Sequence, residues 1–373
     1  MLICSKCDTR YQADQPRWRC DCGSYLHLSG TGMFAKADLH TRPQTLWRYF
    51  ESLGISNRDN IVSLGEGCTP LLEDEIYNQP VLFKMDQLCP TGSFKDRGTT
   101  VMVSKLKEWG VRHVVEDSSG NAGASVSAYT SRAKIQADIY IPGYTSGGKA
   151  TQIALYGGNL VKVPGTREDT ARAVLEAAES SFYASHNWSP YFVAGLKTVA
   201  YEVAEQLDWR SPDWIVLPVG GGSLFIGVYL GWRELVEAGY VEKMPRLVAV
   251  QADNCDPIYQ AWKQGLDTVP EISKREGAAE GIAISQPVKD KDILQAIRDS
   301  DGIACTVTDE EIWETLRLLA RRGVYVEPTS AATSAAIKQL SADGIISPQD
   351  RVVVQLTGMG LKATDKIVEH FGN

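Results

Sequence analysis

From residue 81 onward the chain alternates short runs of β-branched and apolar residues with helical stretches. That rhythm leaves little besides an α/β fold with largely parallel sheets. VLFKM (81–85), VRHVV (111–115), ADIYI (137–141), NLVKV (159–163), WIVLPV (214–219), RLVAVQ (246–251) and RVVVQL (351–356) read as strands. Helices are predicted over 96–109, 122–133, 148–157, 167–180, 194–207, 223–238, 308–321 and 329–340, with a last helix after 356. Residues 31–80 are mixed, with a Gly/Pro turn at 64–70, and 265–290 reads as a surface excursion. A length of 373 residues allows two or three domains.

Several partners are excluded early. Lys plus Arg number 38 against 46 Asp plus Glu, a net charge of −8, so nothing recruits nucleic acid or an anionic membrane surface. The segment from Trp214 to Trp232 carries no charge and is long enough to span a bilayer. Its β-rich start, Pro218 and the run Gly220-Gly221-Gly222-Ser223 instead predict strand, turn, helix. Eight cysteines are too sparse for a disulfide scaffold, and MLICSKCDTR has no signal-peptide core, so a reducing cytoplasm is expected.

Residues 1–30 form a separate small unit. Cys4-x-x-Cys7 and Cys20-x-Cys22 supply four soft ligands at a spacing that favours structural Zn²⁺, with His27 as a substitute ligand. An unmetallated remnant and a redox pair are the other readings. Thirty residues cannot supply a core, so a bound metal would carry their folding. A second motif, Gly143 to Ala150, nearly matches a phosphate loop. Alanine stands where the Mg²⁺-binding hydroxyl belongs, so a glycine-softened helix start with an outward Lys149 is the better reading.

Three further segments belong together. Pro90-Thr91-Gly92-Ser93-Phe94-Lys95 puts a lysine at a turn entering a helix. Asp117-Ser118-Ser119-Gly120-Asn121 and Val219-Gly220-Gly221-Gly222-Ser223 each link a strand to a helix start. Such junctions aim backbone N–H groups and the positive helix end at an anion. Two anion cups beside a lysine suit a phosphate-bearing aldehyde held as a Schiff base and a carboxylate substrate. A plain surface lysine on a first helical turn is the competing reading.

The motifs GEGCTPL (65–71), TGSFKDRG (91–98), SSGN (118–121), PVGGGS (218–223), EPTSAA (327–332) and LTGMGLK (356–362) resemble those of the fold-type II pyridoxal-phosphate enzymes, most closely the threonine synthases. The resemblance runs from about residue 31 to the end, and the cysteine unit resembles the zinc-ribbon-like appendage of some members. It implies two open, twisted, mostly parallel-sheet domains of the tryptophan-synthase-beta-like architecture plus the N-terminal Cys4 ribbon. The implied division is 1–30 for the ribbon, 31–88 with 191–373 for a large cofactor domain, and 89–190 for a small mobile domain. It implies Lys95 as the Schiff-base lysine and proton shuttle, and Phe94 and Asn121 flanking the pyridine ring. Gly220, Gly221, Gly222 and Ser223 would cup the cofactor phosphate, and Thr357 would bond the ring nitrogen. Glu327 would lie near the cofactor, and Ser118, Ser119 and Gly120 would grip the substrate carboxylate. The implied reaction converts O-phospho-L-homoserine and water to L-threonine and phosphate in a cytoplasmic homodimer.

The substrate side departs from the family pattern. The segment Asn187 to Thr198 carries Phe192 where the family places a phosphate-binding arginine. Phenylalanine cannot replace a bidentate guanidinium. Asn187 and Ser189 remain as hydrogen-bonding substrate ligands, and Lys149, Lys197 or Arg167 would have to supply the charge. A second enzyme reading therefore stands beside the first: α,β-elimination or β-replacement on another amino acid, as in serine/threonine dehydratases, diaminopropionate lyases or cysteate-synthase-like enzymes. A cofactor-bearing binding protein is the non-enzyme alternative. His186 is read as structural, and Arg97 as a helix anchor or an anion ligand.

Overall fold

The structure, a computed structural model, describes residues 1–145 and 147–372, without the side chains of 147–149. The near phosphate loop at 143–150 falls partly on these, and Lys149 lies outside the described side chains. The polypeptide divides into two compact units. Met1–Gly67 with Lys95–Leu196 form the first, and Cys68–Phe94 with the residues from Lys197 onward form the second.

The second unit is built on a six-stranded sheet. Its order is Ile303–Val307, Arg246–Ala252, Trp214–Pro218, Val352–Leu356, Gln79–Met85 and Leu71–Ile76. All neighbours are parallel except the last pair, a hairpin turned by Tyr77 and Asn78 at φ 52° and 61°. Two consecutive left-handed residues match the twist of a two-residue hairpin. Trp214–Pro218 and Val352–Leu356 are buried throughout, as parallel strands covered on both faces must be. The helix Pro328–Ala342 lays Ala331, Ala332, Ala335, Ala336 and Ile337 into the core formed with Val216, Val250 and Val354. The uncharged segment 214–232 resolves into strand, turn and helix, and no helix among the described residues is long and apolar enough to cross a membrane.

The first unit has a parallel sheet, Asn159–Val163, Gln136–Pro142, His113–Glu116 and Phe182–Tyr183. A three-stranded antiparallel ribbon, Arg10–Tyr11, Leu2–Cys4 and Leu26–Leu28, packs with it. Residues 31–67 cluster here too, although the family pattern assigns them to the large domain. The reason is polar as well as apolar. Glu66 is fully buried, and five donors converge on it: Tyr129 Oη (2.6 Å), Leu64 N (2.8 Å), Thr100 Oγ1 (2.8 Å), Ser63 Oγ (2.9 Å) and Trp47 Nε1 (3.0 Å). Val62 N donates to Ser104 Oγ at 2.9 Å beside them.

Most expected elements lie within two or three residues of their predicted ends. The helix predicted over 194–207 is two helices, Pro190–Leu196 and Thr198–Gln206. The strands Leu71–Ile76 and Ile303–Val307 and the helices Pro257–Lys263 and Asp290–Asp299 are absent from the sequence-based expectation. The excursion at 265–290 is irregular, but Ala278, Ala279 and Ile282 are buried in the core rather than on the surface.

One buried ion pair ties the second unit's hairpin to its helices. Lys84 Nζ donates to Glu202 Oε2 at 2.8 Å, with both side chains almost fully buried, and also to the Thr69 carbonyl at 2.8 Å. Lys84→Met removes the buried cation from Glu202, which keeps the Cys68 N–H at 2.8 Å, and is expected to cost about 3–5 kcal/mol. Urea unfolding followed by circular dichroism checks this, and an unmoved midpoint contradicts it.

Candidate active site

Lys95 is the first residue of the helix Lys95–Glu108 and is half-buried. The positive end of the helix disfavours a second positive charge at that position. Asp96 is buried and accepts from Ser125 Oγ at 2.7 Å, and Arg97 is fully buried. Two glycines let the helix Pro190–Leu196 cross it at backbone contact. A Cβ on Gly195 would lie 1.9 Å from the Arg97 carbonyl, and one on Gly98 would lie 2.6 Å from the Phe192 ring. Phe192, fully buried, is thereby pressed against this helix, with its ring centroid 5.7 Å from Lys95 Nζ.

The strand His113–Glu116 runs into Ser118, Ser119 and Gly120, and the helix Asn121–Ala133 follows. Gly120 is the N-cap, the helix has no side-chain cap, and Ser118 to Asn121 are half-buried. A Cβ on Gly123 would lie 1.9 Å from the Ser118 carbonyl, so the loop folds tightly over the first turn. The result is a helix N-terminus whose first turn carries no side-chain cap, the kind of end that receives an anion. Asn187 is half-buried, with its N–H on Ser185 Oγ at 3.3 Å. Ser189 is buried and its Oγ accepts from Phe192 N at 3.3 Å. Arg167, one of the cations that could stand in for the arginine, is bonded to Asp117 Oδ2 at 2.7 Å.

Beside this loop lies a cluster that no sequence motif announces. Glu116 is fully buried, with Oε1 2.7 Å from His186 Nδ1. Tyr183 Oη donates to Asp117 Oδ1 at 2.7 Å. Burial, and then the neighbouring Asp117 carboxylate, push the Glu116 carboxyl well above its usual range, against the pull of Arg167 and Lys95. In the sequence His186 is visible only as a residue near the substrate segment, because its partner is seventy positions away.

In the second unit the glycine run leads into the helix Ser223–Glu237. Gly222 is the N-cap at φ 84°, and this helix too has no side-chain cap. A Cβ on Gly220 would lie 2.9 Å from Ile282 Cα, and one on Gly222 would lie 2.2 Å from Ile293 Cδ1. Only glycine fits this cradle, and its backbone N–H groups are the donors on offer. Residues 92–94 run beside 357–359, with Phe94 N donating to the Thr357 carbonyl at 2.9 Å. Thr357 is fully buried, and its Oγ1 lies 2.9 Å from Ser330 Oγ. Ser330 also accepts from Thr357 N (2.9 Å) and Gly358 N (2.8 Å), so the EPTS segment pins the strand end. Glu327 N donates to the Gly358 carbonyl at 2.9 Å, and its carboxylate covers Gly358, where a Cβ would lie 2.3 Å from Oε1. Lys197 is bonded to Glu234 at 2.9 Å, and burial pulls its ammonium down. Lys197 and Arg167 therefore each already hold a carboxylate.

Within the second unit, a glycine cradle at a helix N-terminus and a buried hydroxyl at a strand end suit a phosphate and a ring nitrogen; within the first, Lys95 offers a half-buried amine. The family model for pyridoxal-phosphate dependent enzymes matches residues 62–358. The protein is a fold-type II pyridoxal-phosphate-dependent enzyme related to threonine synthase. It is 35% identical to the threonine synthase of Methanocaldococcus jannaschii over 98% of this chain and 93% of that one. It is 33% identical to the threonine synthase of Methanosarcina acetivorans, over 99% and 93%. The processed form of threonine deaminase isoform 2 from Solanum lycopersicum shares the fold, with a TM-score of 0.71 and 19% identity over 94% of this chain and 100% of that one.

The ribbon of this pyridoxal-phosphate enzyme gathers Cys4, Cys7, Cys20 and Cys22, whose Sγ atoms lie within 4.8 Å of one another. His27 packs edge-on against Tyr25 and is not in that group. Hydrogen bonds from Ser24 bring the Cys22 thiol down to about 6, whereas burial pushes Cys4 up to about 11. Trp18, between the cysteine pairs, packs edge-on against Tyr183 (5.1 Å) and Trp188 (5.4 Å).

Proposed function

We propose that this enzyme converts O-phospho-L-homoserine and water to L-threonine and phosphate. The observation that carries this reading is the nearly full-length similarity to two threonine synthases, in a protein whose Lys95 opens a helix beside Phe192. Bound pyridoxal phosphate would supply an electron sink for charge developing at the substrate Cα. Lys95 holds the cofactor and moves the proton at Cα and then at Cβ. Gly220, Gly221, Gly222 and Ser223 take its phosphate. Phe94 and Asn121 would flank its ring, Thr357 would bond the ring nitrogen and Glu327 would stand nearby. Ser118, Ser119 and Gly120 hold the substrate carboxylate, with Asn187 and Ser189 toward its distal end.

One observation favours a second reading, elimination or replacement on an amino acid without a phosphate. Phe192 is fully buried at the arginine position, and a Cβ on Gly98 would lie 2.6 Å from its ring. A substrate panel with product identification separates the two. Threonine and phosphate from O-phosphohomoserine support the first reading. A 2-oxo acid and ammonia from serine, threonine or diaminopropionate support the second, and no product from any of them contradicts both.

The same reading gives the ribbon a structural zinc on Cys4, Cys7, Cys20 and Cys22, supported by four thiols at chelating distance. The free cysteines support a reducing compartment such as the cytoplasm, and a homodimer follows the family resemblance. Metal removal is expected to unseat Trp18 from Tyr183 and Trp188. Purified protein should carry about one zinc per polypeptide, and a strong chelator should shift tryptophan emission and lower the melting temperature. Metal-free protein with unchanged emission would contradict the assignment.

A further inference from the structure

We propose that His186, held by Glu116, donates the proton to the group leaving the substrate, while Lys95 works at Cα. This rests on the amino-acid reading above and deepens it. Glu116 ends the strand His113–Glu116, on the side where parallel sheets bind ligands. Its Oε1 meets His186 Nδ1 at 2.7 Å, and among the described residues nothing hydrogen-bonds its buried Oε2. A carboxylate at Nδ1 fixes the ring and directs proton exchange to Nε2. The His186 ring lies 6.0 Å from the Phe192 ring centroid, and Lys95 Nζ lies 5.7 Å from that same centroid. Both groups thus border the residue that replaces the family's phosphate-binding arginine.

The charges around Glu116 are Asp117 and Lys95, Arg167 from the helix Arg167–Ala177, and Tyr183 from the adjoining strand. Burial opposes leaving Glu116 and His186 with a net negative charge, so the pair keeps a proton to give. When the bond from substrate carbon to the leaving oxygen breaks, its electron pair goes to oxygen. A phosphate monoester dianion or a hydroxyl leaves poorly unless that oxygen gains a proton. Nε2–H supplies it, Nδ1–H stays on the Glu116 carboxylate, and a proton taken up from the solvent restores Nε2–H. Chloride leaves as a stable anion and needs no donor.

The test compares wild type, His186→Gln and Glu116→Gln, each loaded with pyridoxal phosphate. The substrates are β-chloroalanine and an oxygen-leaving one, serine or O-phosphohomoserine. His186→Gln is expected to lose about 10²–10⁴-fold in kcat with the oxygen leaving group and under about threefold with chloride. It should also lose the fall in rate at high pH. Equal losses on both substrates overturn the proposal, as does a retained high-pH limb. Wild type inactive on every substrate overturns the underlying reading and this assignment with it. A second measurement needs no turnover. The protein has 5 histidines, so the His186 signal in ¹⁵N-histidine NMR is the one lost in His186→Gln. Glu116→Gln should lower its titration midpoint by about one unit or more. An unmoved midpoint overturns the pair.

Discussion

Lys95→Ala is expected to reduce turnover at least about 10³-fold, because in the proposed function it removes both the cofactor's anchor and the base at Cα. Lys95→Arg should be equally inactive. A guanidinium keeps the positive charge but does not give up its proton near neutral pH, and it offers no amine to the aldehyde. Neither variant disturbs the buried Asp96 or Arg97 that follow it in the helix, so folding should survive. Product assays with dialysis against pyridoxal phosphate separate these effects. Activity within about tenfold of wild type in Lys95→Ala would exclude Lys95 as the base.

A large stability effect is expected at Glu66. Glu66→Leu removes a fully buried acceptor shared by five donors, of which Trp47 Nε1 keeps Thr100 Oγ1 (3.1 Å) and Thr100 Oγ1 keeps the Val62 carbonyl (2.6 Å). Each lost buried hydrogen bond costs about 1–3 kcal/mol, and with these alternative partners the expected cost is about 2–4 kcal/mol. Glu66→Gln keeps some acceptors and should cost about half as much. Denaturant midpoints check the order wild type, Gln, Leu. A Leu variant within about 0.5 kcal/mol of wild type would contradict it.

The elements legible in the sequence are those whose local pattern and tertiary burial agree. Trp214–Pro218 and Val352–Leu356 are apolar runs because both faces are covered. Leu71–Ile76 is hidden because an edge strand facing water can carry Glu73, Asp74 and Glu75, which mask any alternation. Ile303–Val307 is hidden because Ala304 and Cys305 interrupt its β-branched residues in a run of only five, and register with Arg246–Ala252 supplies the rest. At the site, glycine turns and a lysine are readable because backbone geometry demands glycine locally. Glu116 with His186, and Ser330 with Thr357, are not, since each pair is joined only by folding.

The central claim is that Lys95 carries the cofactor. Incubation of the protein with pyridoxal phosphate, reduction with borohydride and peptide mapping test it directly. The account predicts one dominant pyridoxyl label, on Lys95. A label on another lysine, or none under conditions where the protein turns over substrate, would contradict it.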